Sequence, residues 1–493
     1  MVKNNTFFQT EEVLSQERSM IDKPLKWCSV ALSEVITREK RLEASVFDVA
    51  AKQARDVIQH GKYLAISIGG KNGLIKEAFY PGRFKRIYCD YNVGFPFYLP
   101  SQMTDIYPKA EKNISALTKC NFSELKLKSN TLLLTRSGTI GTVSIVSKTL
   151  EGCIFSDDVI RVTFKNDIDL GYVYTYLKSK IGSIMLTTNR YGSVIEHIEP
   201  EHLTSIPIPN APEVLKRKIH ALIVQSYALR DQSNELIDEA TQLLVSELKF
   251  PDIHEFELNL LDKNSKVDAF SVRLSHLNGR FDASYHVPIV NAIIEHMKQY
   301  AAEVTTVGDS RVSKDVILPG RFKRIYVEEG YGRVFIGGKQ LYELDPTNKK
   351  YLSLVHHGDR IAKQLELHKW MTLISCSGTI GKVTLVGKQW DNWTASQHII
   401  RIVPANQDIA GYLSIFLSSN YGYFLITRNT YGSVVDEIDD NHVREIPIPL
   451  LKNPSVQEQI NKLALEANEL RYQAYLLEQK ALKIMNDEVL FAI

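Results

Sequence analysis

The chain has 493 residues, too many for one compact core, and a prior of about 150 residues per domain predicts two to four units. Hydrophobic residues make up 44% and charged residues 24%, a composition that excludes disorder, collagen and a coiled coil over the whole length. The formal net charge of +2 does not indicate nucleic acid, so any DNA-binding face must depend on how the charges are arranged.

The apolar and cysteine patterns exclude two further classes of protein. No apolar run approaches the roughly 18 residues that span a bilayer, and residues 1–16 lack the apolar core of a signal peptide. The five cysteines are scattered without a CxxC pair, which argues against a disulfide framework and a cysteine zinc site. We therefore expect a cytoplasmic protein.

Five motifs near the N-terminus and along the first half return in the same order in the second half. They are RLEAS at Arg41–Ser45 and RFDAS at Arg280–Ser284, PGRFKRIY at Pro81–Tyr88 and Pro319–Tyr326, SGTIG at Ser137–Gly141 and Ser377–Gly381, YGSV at Tyr191–Val194 and Tyr431–Val434, and IPIP at Ile206–Pro209 and Ile446–Pro449. The distance along the chain between the two copies of each motif is far longer than the unit of a solenoid, which has about 20 to 50 residues. The pattern indicates duplication of a whole domain.

Each copy mixes strand and helix patterns. In the first copy, Thr131–Arg136 and Val159–Phe164 are rich in β-branched and apolar residues and predict strands, and Gly171–Lys178 predicts a short helix. The second copy repeats this with a strand at Met371–Ser375 and a helix at Gly411–Ser418. Each copy is therefore expected to be an α+β domain. The two prolines of IPIP favour an extended segment, which is expected to end the domain.

A long helix is predicted after each copy. Steps of four and three residues trace one mostly apolar seam in each: Leu215, Ile219, Leu222, Ser226, Leu229, Ser233, Leu236, Ala240 and Leu243, then Val456, Ile460, Leu463, Ala467, Leu470, Ala474, Leu477, Ala481 and Ile484. Such a stripe over four heptads is typical of a coiled coil. The two helices are expected to pair with each other; alternatively, each packs on its own domain.

These elements predict five consecutive segments. They are an N-terminal segment with the first domain (1–212), the first long helix (213–250), a polar linker (251–279), the second domain (280–452) and the second long helix (453–493).

The sequence lacks the motifs of common catalytic sites. SGTIGKV at Ser377–Val383 does not have the GxxxxGK[ST] spacing of a phosphate loop, and no GxGxxG, HExxH, GxSxG or paired Cys/His set occurs. The N/D-PP-Y/F tetrapeptide of amino-methyltransferases and the PD…D/E-x-K pattern of many nucleases are also missing. We expect no catalysis, metal or cofactor, with a divergent nuclease or a protein-binding scaffold as alternatives.

The repeated motifs contain the candidate DNA-binding residues. GRFKR places three cations around a phenylalanine, and in a strand Arg83 and Lys85 would share one face while Phe84 anchors the other. Arginine suits phosphates or guanine edges, whereas a solvated edge strand would need no ligand. In SGTIG, glycines allow close approach and hydroxyls donate to phosphates, although a plain hairpin turn would use the same residues.

The asparagine and tyrosine of NRYGSV and NTYGSV could bind adenine and stack on a base, or the tyrosine could only cap a core. The DNA-binding candidates are Arg83, Lys85, Arg86, Arg136, Ser137, Thr139, Asn189, Arg190, Tyr191 and Ser193 in the first copy, and Arg321, Lys323, Arg324, Ser377, Thr379, Lys382, Arg428, Asn429, Tyr431 and Ser433 in the second.

From about residue 30 to 493 the chain resembles the specificity subunits of type I restriction-modification systems. The resemblance rests on the order domain, long helix, domain, long helix, and on the RLEAS/RFDAS, GTIG and YGSV…IPIP motifs. It implies two homologous α+β target recognition domains and two long helices that form an antiparallel coiled coil, with pseudo-two-fold symmetry. It also implies two modification subunits that methylate adenine and motor/nuclease subunits that cleave, so any cofactor would belong to these partners.

Helix length and sequence divergence add to this expectation. From Leu215 to Leu243 the seam extends roughly 42 Å at about 1.5 Å per residue, which compares with about 34 Å for one turn of B-DNA. The segments that follow the two RIY sequences differ, so the two domains are expected to read different bases of a bipartite, asymmetric site in double-stranded DNA. The partner could also be a fused methyltransferase-nuclease.

Overall fold

The computed structural model describes residues 29–37, 47–90, 93–138, 140–188, 197–260, 270–277, 279–346, 349–432 and 434–492. These residues divide into two compact units. The first unit holds residues 29–231, 342–346 and 473–492, and the second holds residues 232–341 and 349–472. Each unit therefore contains one repeated domain and a part of each long helix.

The first unit begins with short helices and continues with two sheets. Its elements, up to the long helix that both units share, are α1 (Leu32–Thr37), α2 (Val49–Gln59), β1 (Ala65–Ser67), β2 (Ile75–Phe79), β3 (Tyr88–Cys89), β4 (Phe95–Tyr98), β5 (Lys112–Ile114), α3 (Phe122–Leu125), β6 (Leu132–Thr135), β7 (Val143–Ile145), β8 (Ile154–Phe155), β9 (Val159–Phe164), α4 (Asp167–Lys178), α5 (Lys180–Thr187), α6 (Pro200–Thr204), β10 (Pro207–Pro209) and α7 (Glu213–Glu247).

The second unit repeats this order. Its elements, up to the second shared helix, are α8 (Ile253–Leu260), α9 (Pro288–Tyr300), β11 (Glu303–Thr306), β12 (Ser313–Ile317), β13 (Tyr326–Val327), β14 (Gly332–Ile336), β15 (Lys350–Ser353), α10 (Leu354–Arg360), β16 (Thr372–Ser375), β17 (Val383–Leu385), β18 (Thr394–Ala395), β19 (Ile399–Pro404), α11 (Gln407–Ser418), α12 (Asn420–Thr427), α13 (Asp440–Arg444), β20 (Pro447–Leu450) and α14 (Pro454–Ile484). Helix α8 lies within the range predicted as an unpatterned linker.

The sheet topology is the same in both units. The first unit has four-stranded sheets of order β2-β9-β6-β7 and β3-β5-β4-β8 and a β1-β10 pair; the second has β12-β19-β16-β17, β13-β15-β14-β18 and a β11-β20 pair. All pairings are antiparallel except β4 with β8 and β14 with β18. The predicted duplication of an α+β domain is thus confirmed.

The IPIP segments form short edge strands, because a proline has no N–H to donate to a ladder. Their free carbonyl groups bind tyrosines of the buried helices α4 and α11. The hydroxyl groups of Tyr172 and Tyr412 donate to the carbonyls of Pro209 and Pro449 at 2.5 and 2.6 Å. Burial raises the pKa of both phenols, so they stay protonated donors.

The two long helices pair in antiparallel fashion within each unit. In the first unit the Ser226 hydroxyl donates to the Ala474 carbonyl at 2.8 Å. In the second unit Arg471 donates to Ser233 and Asn234, at 3.1 Å in each case. Small residues occupy the buried centre of the pair, since Ala240, Ala464, Ala467, Ala474 and Ala481 are at most 2% exposed.

The buried column differs from the predicted seam at every second position. Its α7 members are Ile219, Ile223, Ser226, Arg230, Ser233, Ile237, Ala240 and Leu244, and its α14 members are Ile460, Ala464, Ala467, Arg471, Ala474, Glu478, Ala481 and Met485; all are buried except Arg230, Ile237 and Arg471, which are half-buried. The predicted leucines at 222, 229, 236, 243, 463, 470 and 477 each lie one residue before a member of this column and are half-buried, as are Leu215 and Val456. Ile484 is buried.

The cause of this shift is that each long helix also packs on its own domain. Gly171 of α4 and Gly411 of α11 lie against the long helices, where an added Cβ would come within 2.7 Å of His220 Cα and 2.4 Å of the Asn461 carbonyl oxygen. Their N–H groups donate to His220 Nδ1 at 3.3 Å and Asn461 Oδ1 at 2.7 Å. Burial lowers the pKa of His220, which keeps the ring a neutral acceptor. Both packing arrangements considered from the sequence therefore occur.

A buried ion cluster joins the two long helices to the first domain. Glu478 of α14 is 1% exposed and binds Lys178 of α4 and Arg230 of α7. The Tyr174 hydroxyl donates to the same carboxylate at 2.9 Å. Burial would raise the pKa of Glu478, but the two cations outweigh it and lower the pKa to about 2.

In the described part of the chain, no single helix is long and apolar enough to cross a membrane. Helices α11 and α12, which meet at 79°, reach the required length and hydrophobicity only when the two are taken together.

We expect Glu478→Gln to destabilise the protein by about 3 to 5 kcal/mol at pH 7, because it leaves Lys178 and Arg230 buried without a counter-charge. Since the folded pKa of Glu478 lies below its unfolded value, this stabilisation is present above about pH 4.5 and is lost as the pH falls towards 2. Chemical denaturation of the full chain across this pH range measures both effects.

The matched control is Glu469→Gln on the same helix. Glu469 is 46% exposed and 3.9 Å from Lys369, so its loss should change stability by no more than about 0.5 kcal/mol. Equal destabilisation by the two substitutions, or a Glu478→Gln effect that persists at pH 2, would contradict the assigned role.

Candidate nucleic-acid interface

The repeated octapeptide is an irregular segment in both units and not the strand that was considered from the sequence. Regular pairing begins only at Tyr88 and Tyr326. The N–H of Ile87 donates to Thr118 Oγ1 at 3.4 Å, and the N–H of Ile325 donates to His357 Nε2 at 3.2 Å. These side-chain acceptors take the place of a ladder, which is why no strand forms earlier.

Exposure still alternates along the segment as a strand would require. Arg83 and Lys85 are exposed in the first copy, as are Arg321 and Lys323 in the second. Phe84 and Phe322 between them pack against small apolar clusters. The phenylalanines therefore anchor the backbone while two cations in each copy remain outside.

The third cation of each octapeptide binds the protein itself. Arg86 donates to Asp157 at 2.8 Å and to Ser156 at 3.0 Å, and lies 5.4 Å from the centre of the Phe97 ring. Arg324 donates to Gln397 at 2.9 Å and lies over Phe335. Both arginines are half-buried, so they fix the segment instead of extending from it.

The SGTIG motifs form the hairpin loops between β6 and β7 and between β16 and β17. Gly138, Gly141, Gly378 and Gly381 all have φ between 76° and 86°, the left-handed region that favours glycine. Ser137 and Ser377 are half-buried and Thr379 is exposed at the tip. The loops thus combine the turn expected from the glycines with exposed hydroxyl and backbone groups.

Arg136 occupies a structural position, contrary to its selection as a DNA ligand. Its side chain is 7% exposed and lies 2.6 Å from Glu199 and 3.6 Å from Asp158. The guanidinium also lies 4.2 Å from the centre of the Tyr80 ring. Lys382, the residue after the second SGTIG motif, is half-buried as well.

Three motifs that are far apart in the sequence meet at Glu437 in the second unit. The Arg321 guanidinium lies 3.2 Å from the Glu437 carboxylate. Tyr431 and Glu437 exchange two backbone hydrogen bonds of 2.9 and 2.7 Å. Ser377 forms an isolated antiparallel bridge with the same residue. The octapeptide, SGTIG and YGSV therefore form one surface, as a common ligand would require.

The first unit has the corresponding bridge between Ser137 and His197. The imidazole of His197 therefore stands where the second unit has the carboxylate of Glu437. The remaining candidates of its loop, Asn189, Arg190, Tyr191 and Ser193, lie outside the described residues, as do Thr139, Ser433 and Arg41–Ser45.

Beside this surface, the second RFDAS motif contacts the NTYGSV loop. Arg280 binds Asp282 and donates to the Thr430 carbonyl at 3.1 Å. The guanidinium groups of Arg280 and Arg428 lie 4.6 and 4.5 Å from the centre of the Tyr285 ring. They line a cleft of about 920 Å³. Tyr431 is 42% exposed at its edge, and Asn429 is half-buried.

Two buried arginines that the sequence motifs did not reveal support the interface from below. Arg161 and Arg401 occupy equivalent positions in β9 and β19 and are at most 3% exposed. Arg401 donates to the carbonyls of Ser396 and Leu365, and Arg161 to those of Val159, Phe155 and Ser156. Burial lowers the pKa of Arg401 to about 9. The sequence did contain a sign of these buried arginines, because each is a charged residue at the same place in an otherwise apolar strand.

These arginines hold the turns that carry Asp157 and Gln397, the partners of Arg86 and Arg324. The interface can therefore present cations, hydroxyl groups and aromatic rings to an anionic polymer. No group of three or more His, Cys, Asp and Glu side chains suited to a metal occurs among the described residues.

The comparisons with known proteins agree with this arrangement of domains. A family model described as "Type I restriction modification DNA specificity domain" matches residues 82–238 and again residues 327–484. No curated protein matches the chain.

Solved structures of similar extent also match. The type I restriction-modification system S subunit from M. genitalium is 12% identical, with 87% of this chain and 96% of that chain covered and a TM-score of 0.31. The HsdS subunit from Thermoanaerobacter tengcongensis is 13% identical, with 85% and 98% covered and a TM-score of 0.25.

We expect acid to loosen the second octapeptide and not the first. Burial, together with the positive charges of His356 and Arg360, lowers the pKa of His357. The neutral ring accepts from Ile325 at neutral pH, and this bond is lost as the pH falls below about 6.5 and through the folded pKa. Hydrogen exchange corrected for intrinsic rates should show lower protection of a peptide containing Ile325 at pH 5.5 than at pH 7.5.

The peptide containing Ile87 is the internal control, because Thr118 does not titrate. His357→Thr, which copies the acceptor of the first unit, should remove the pH dependence. An equal change in both peptides would count against His357 as the cause.

Proposed function

Since the chain belongs to the type I restriction-modification DNA specificity family, we propose that it is the DNA-reading subunit of such a complex and recognises a bipartite, asymmetric site. Each repeated domain would contact one part of the site. The meeting of the octapeptide, SGTIG and YGSV motifs at Glu437 carries this proposal, because three separately repeated motifs converge under exposed cations. Cationic and hydroxyl side chains on one surface are the usual means of holding a phosphate backbone.

Divergence between the copies supports an asymmetric site. The segments after the octapeptides contain different elements, with α3 in the first unit and the longer α10 in the second. Asp157 in one copy corresponds to Gln397 in the other, and His197 corresponds to Glu437. Different side chains in the segments that follow the two octapeptides would read different bases.

The chemistry would belong to partner subunits. We propose that two modification subunits bind the long helices and methylate adenine, and that motor/nuclease subunits join them for restriction in the cytoplasm. The half-buried leucines at 222, 229 and 236 support such docking, because they remain partly exposed beside the buried column of α7. This chain would itself be non-catalytic and bind no cofactor.

Methylome sequencing of the host with and without this gene tests the proposal. We expect one bipartite motif with methylated adenines to disappear on deletion and to return on complementation. An unchanged methylome in cells that express the chain together with its modification subunits would contradict the function.

The helix pair should set the distance between the two parts of the site. Insertion of one heptad at matched positions of both helices should lengthen the preferred spacer, on the order of 5 to 8 base pairs in the unchanged protein. Insertion into one helix alone is the control and should abolish modification, because it breaks the antiparallel register. An unchanged spacer after the double insertion would exclude this role of the helices.

A further inference from the structure

The octapeptide PGRFKRIY is identical in the two copies, although the segments that follow it differ. Residues that are identical and identically placed cannot distinguish two different half-sites. What two half-sites of any sequence share is the phosphate backbone. This step rests on the proposed function, and it concerns which residues position the DNA and which read it.

The contacts of the octapeptide separate its cations into two classes. Arg86 and Arg324 are tied inward by Asp157 and Gln397. The remaining two cations of each copy are exposed, and the side chain of Arg321 is 81% exposed. An anchored backbone with two long cationic side chains on its outer face suits charge contacts with phosphates, which need no fixed fork geometry.

The two copies differ in the residue that lies beside the first, exposed arginine of the octapeptide, which is Arg83 or Arg321. Arg321 faces Glu437, whereas the equivalent position of the first unit is His197. Within the described residues, Arg83 has no hydrogen-bond or ion-pair partner. A phosphate that binds Arg321 has to approach the negative charge of Glu437, which already occupies one nitrogen of the guanidinium, whereas Arg83 meets no such carboxylate among the described residues.

We propose that Arg83 with Lys85, and Arg321 with Lys323, bind DNA phosphates without reading sequence, and that Glu437 competes with the DNA for Arg321. The first octapeptide therefore holds DNA more tightly than the second. Base reading falls to the segments that differ between the copies, after Tyr88 and after Tyr326.

The first experiment uses the complex purified from the host through a tag on the full chain, and a duplex that contains its site. The double variants Arg83→Ala/Lys85→Ala and Arg321→Ala/Lys323→Ala should weaken binding and reduce the slope of log affinity against log salt by about 1 for each phosphate that is no longer bound. The methylated motif in host DNA should stay the same. Lys298→Ala, which removes an exposed cation outside the octapeptides, should leave the slope unchanged.

The second experiment isolates Glu437 with a double-mutant cycle. Glu437→Gln should tighten binding by about two- to fivefold, the range of one surface ion pair, and should have no effect in an Arg321→Ala background. The mirror substitution His197→Glu should weaken binding by a similar factor through Arg83.

Each outcome supports or overturns one part of the proposal. A changed methylated motif in the Arg321→Ala/Lys323→Ala variant would assign base reading to the octapeptide and overturn the proposal, as would unchanged salt slopes. An equal Glu437→Gln effect with and without Arg321 would overturn the competition. If the unmutated complex neither binds nor methylates a defined site, the proposed function fails as well, which separates the two failures.

Discussion

The buried carboxylate of Glu478 is the interaction on which the first unit depends. It neutralises one cation from the first domain and one from the paired long helix, in a place where either cation alone would be costly to bury. An apolar seam permits many registers, since one alanine replaces another with little loss. A single buried anion with two fixed cations permits only one register, and so it specifies how α14 packs against α7 and α4.

Close approach of backbones is the second constraint, and it explains how far the sequence could predict the helices. Their positions and their pairing follow from the sequence pattern, and the resemblance to the specificity subunits implied that the pair is antiparallel. The register of the buried column does not, because the leucines suggest a seam between helices alone. Gly171 and Gly411 allow a domain helix to pack closely against each long helix. Each long helix therefore buries two faces, one against the other long helix and one against its own domain. The alanines and serines at the centre are what allow both contacts.

The interface was predictable to the extent that its residues recur. The second copies of the octapeptide, SGTIG and YGSV were found by repetition and lie together on one surface of the second unit. Arg136 was assigned to DNA because it flanks the first SGTIG motif, and its partners Asp158 and Glu199 show no sequence pattern that links them to it. Glu437 was missed for the opposite reason. It differs from His197, and comparing the copies selects what is shared rather than what varies.

The surroundings of Glu478 also bear on how such proteins change over evolutionary time. Lys178 and Tyr174 of the first domain correspond to Ser418 and Ser414 of the second, and Glu478 corresponds to Ile237. The two halves repeat one domain plan, yet they are not interchangeable at this point. A recombination event that replaced the first domain with a copy of the second would remove the lysine and the tyrosine and leave Glu478 with Arg230 as its remaining partner. Such an exchange is therefore expected to lower folding stability, which would favour keeping the two halves distinct.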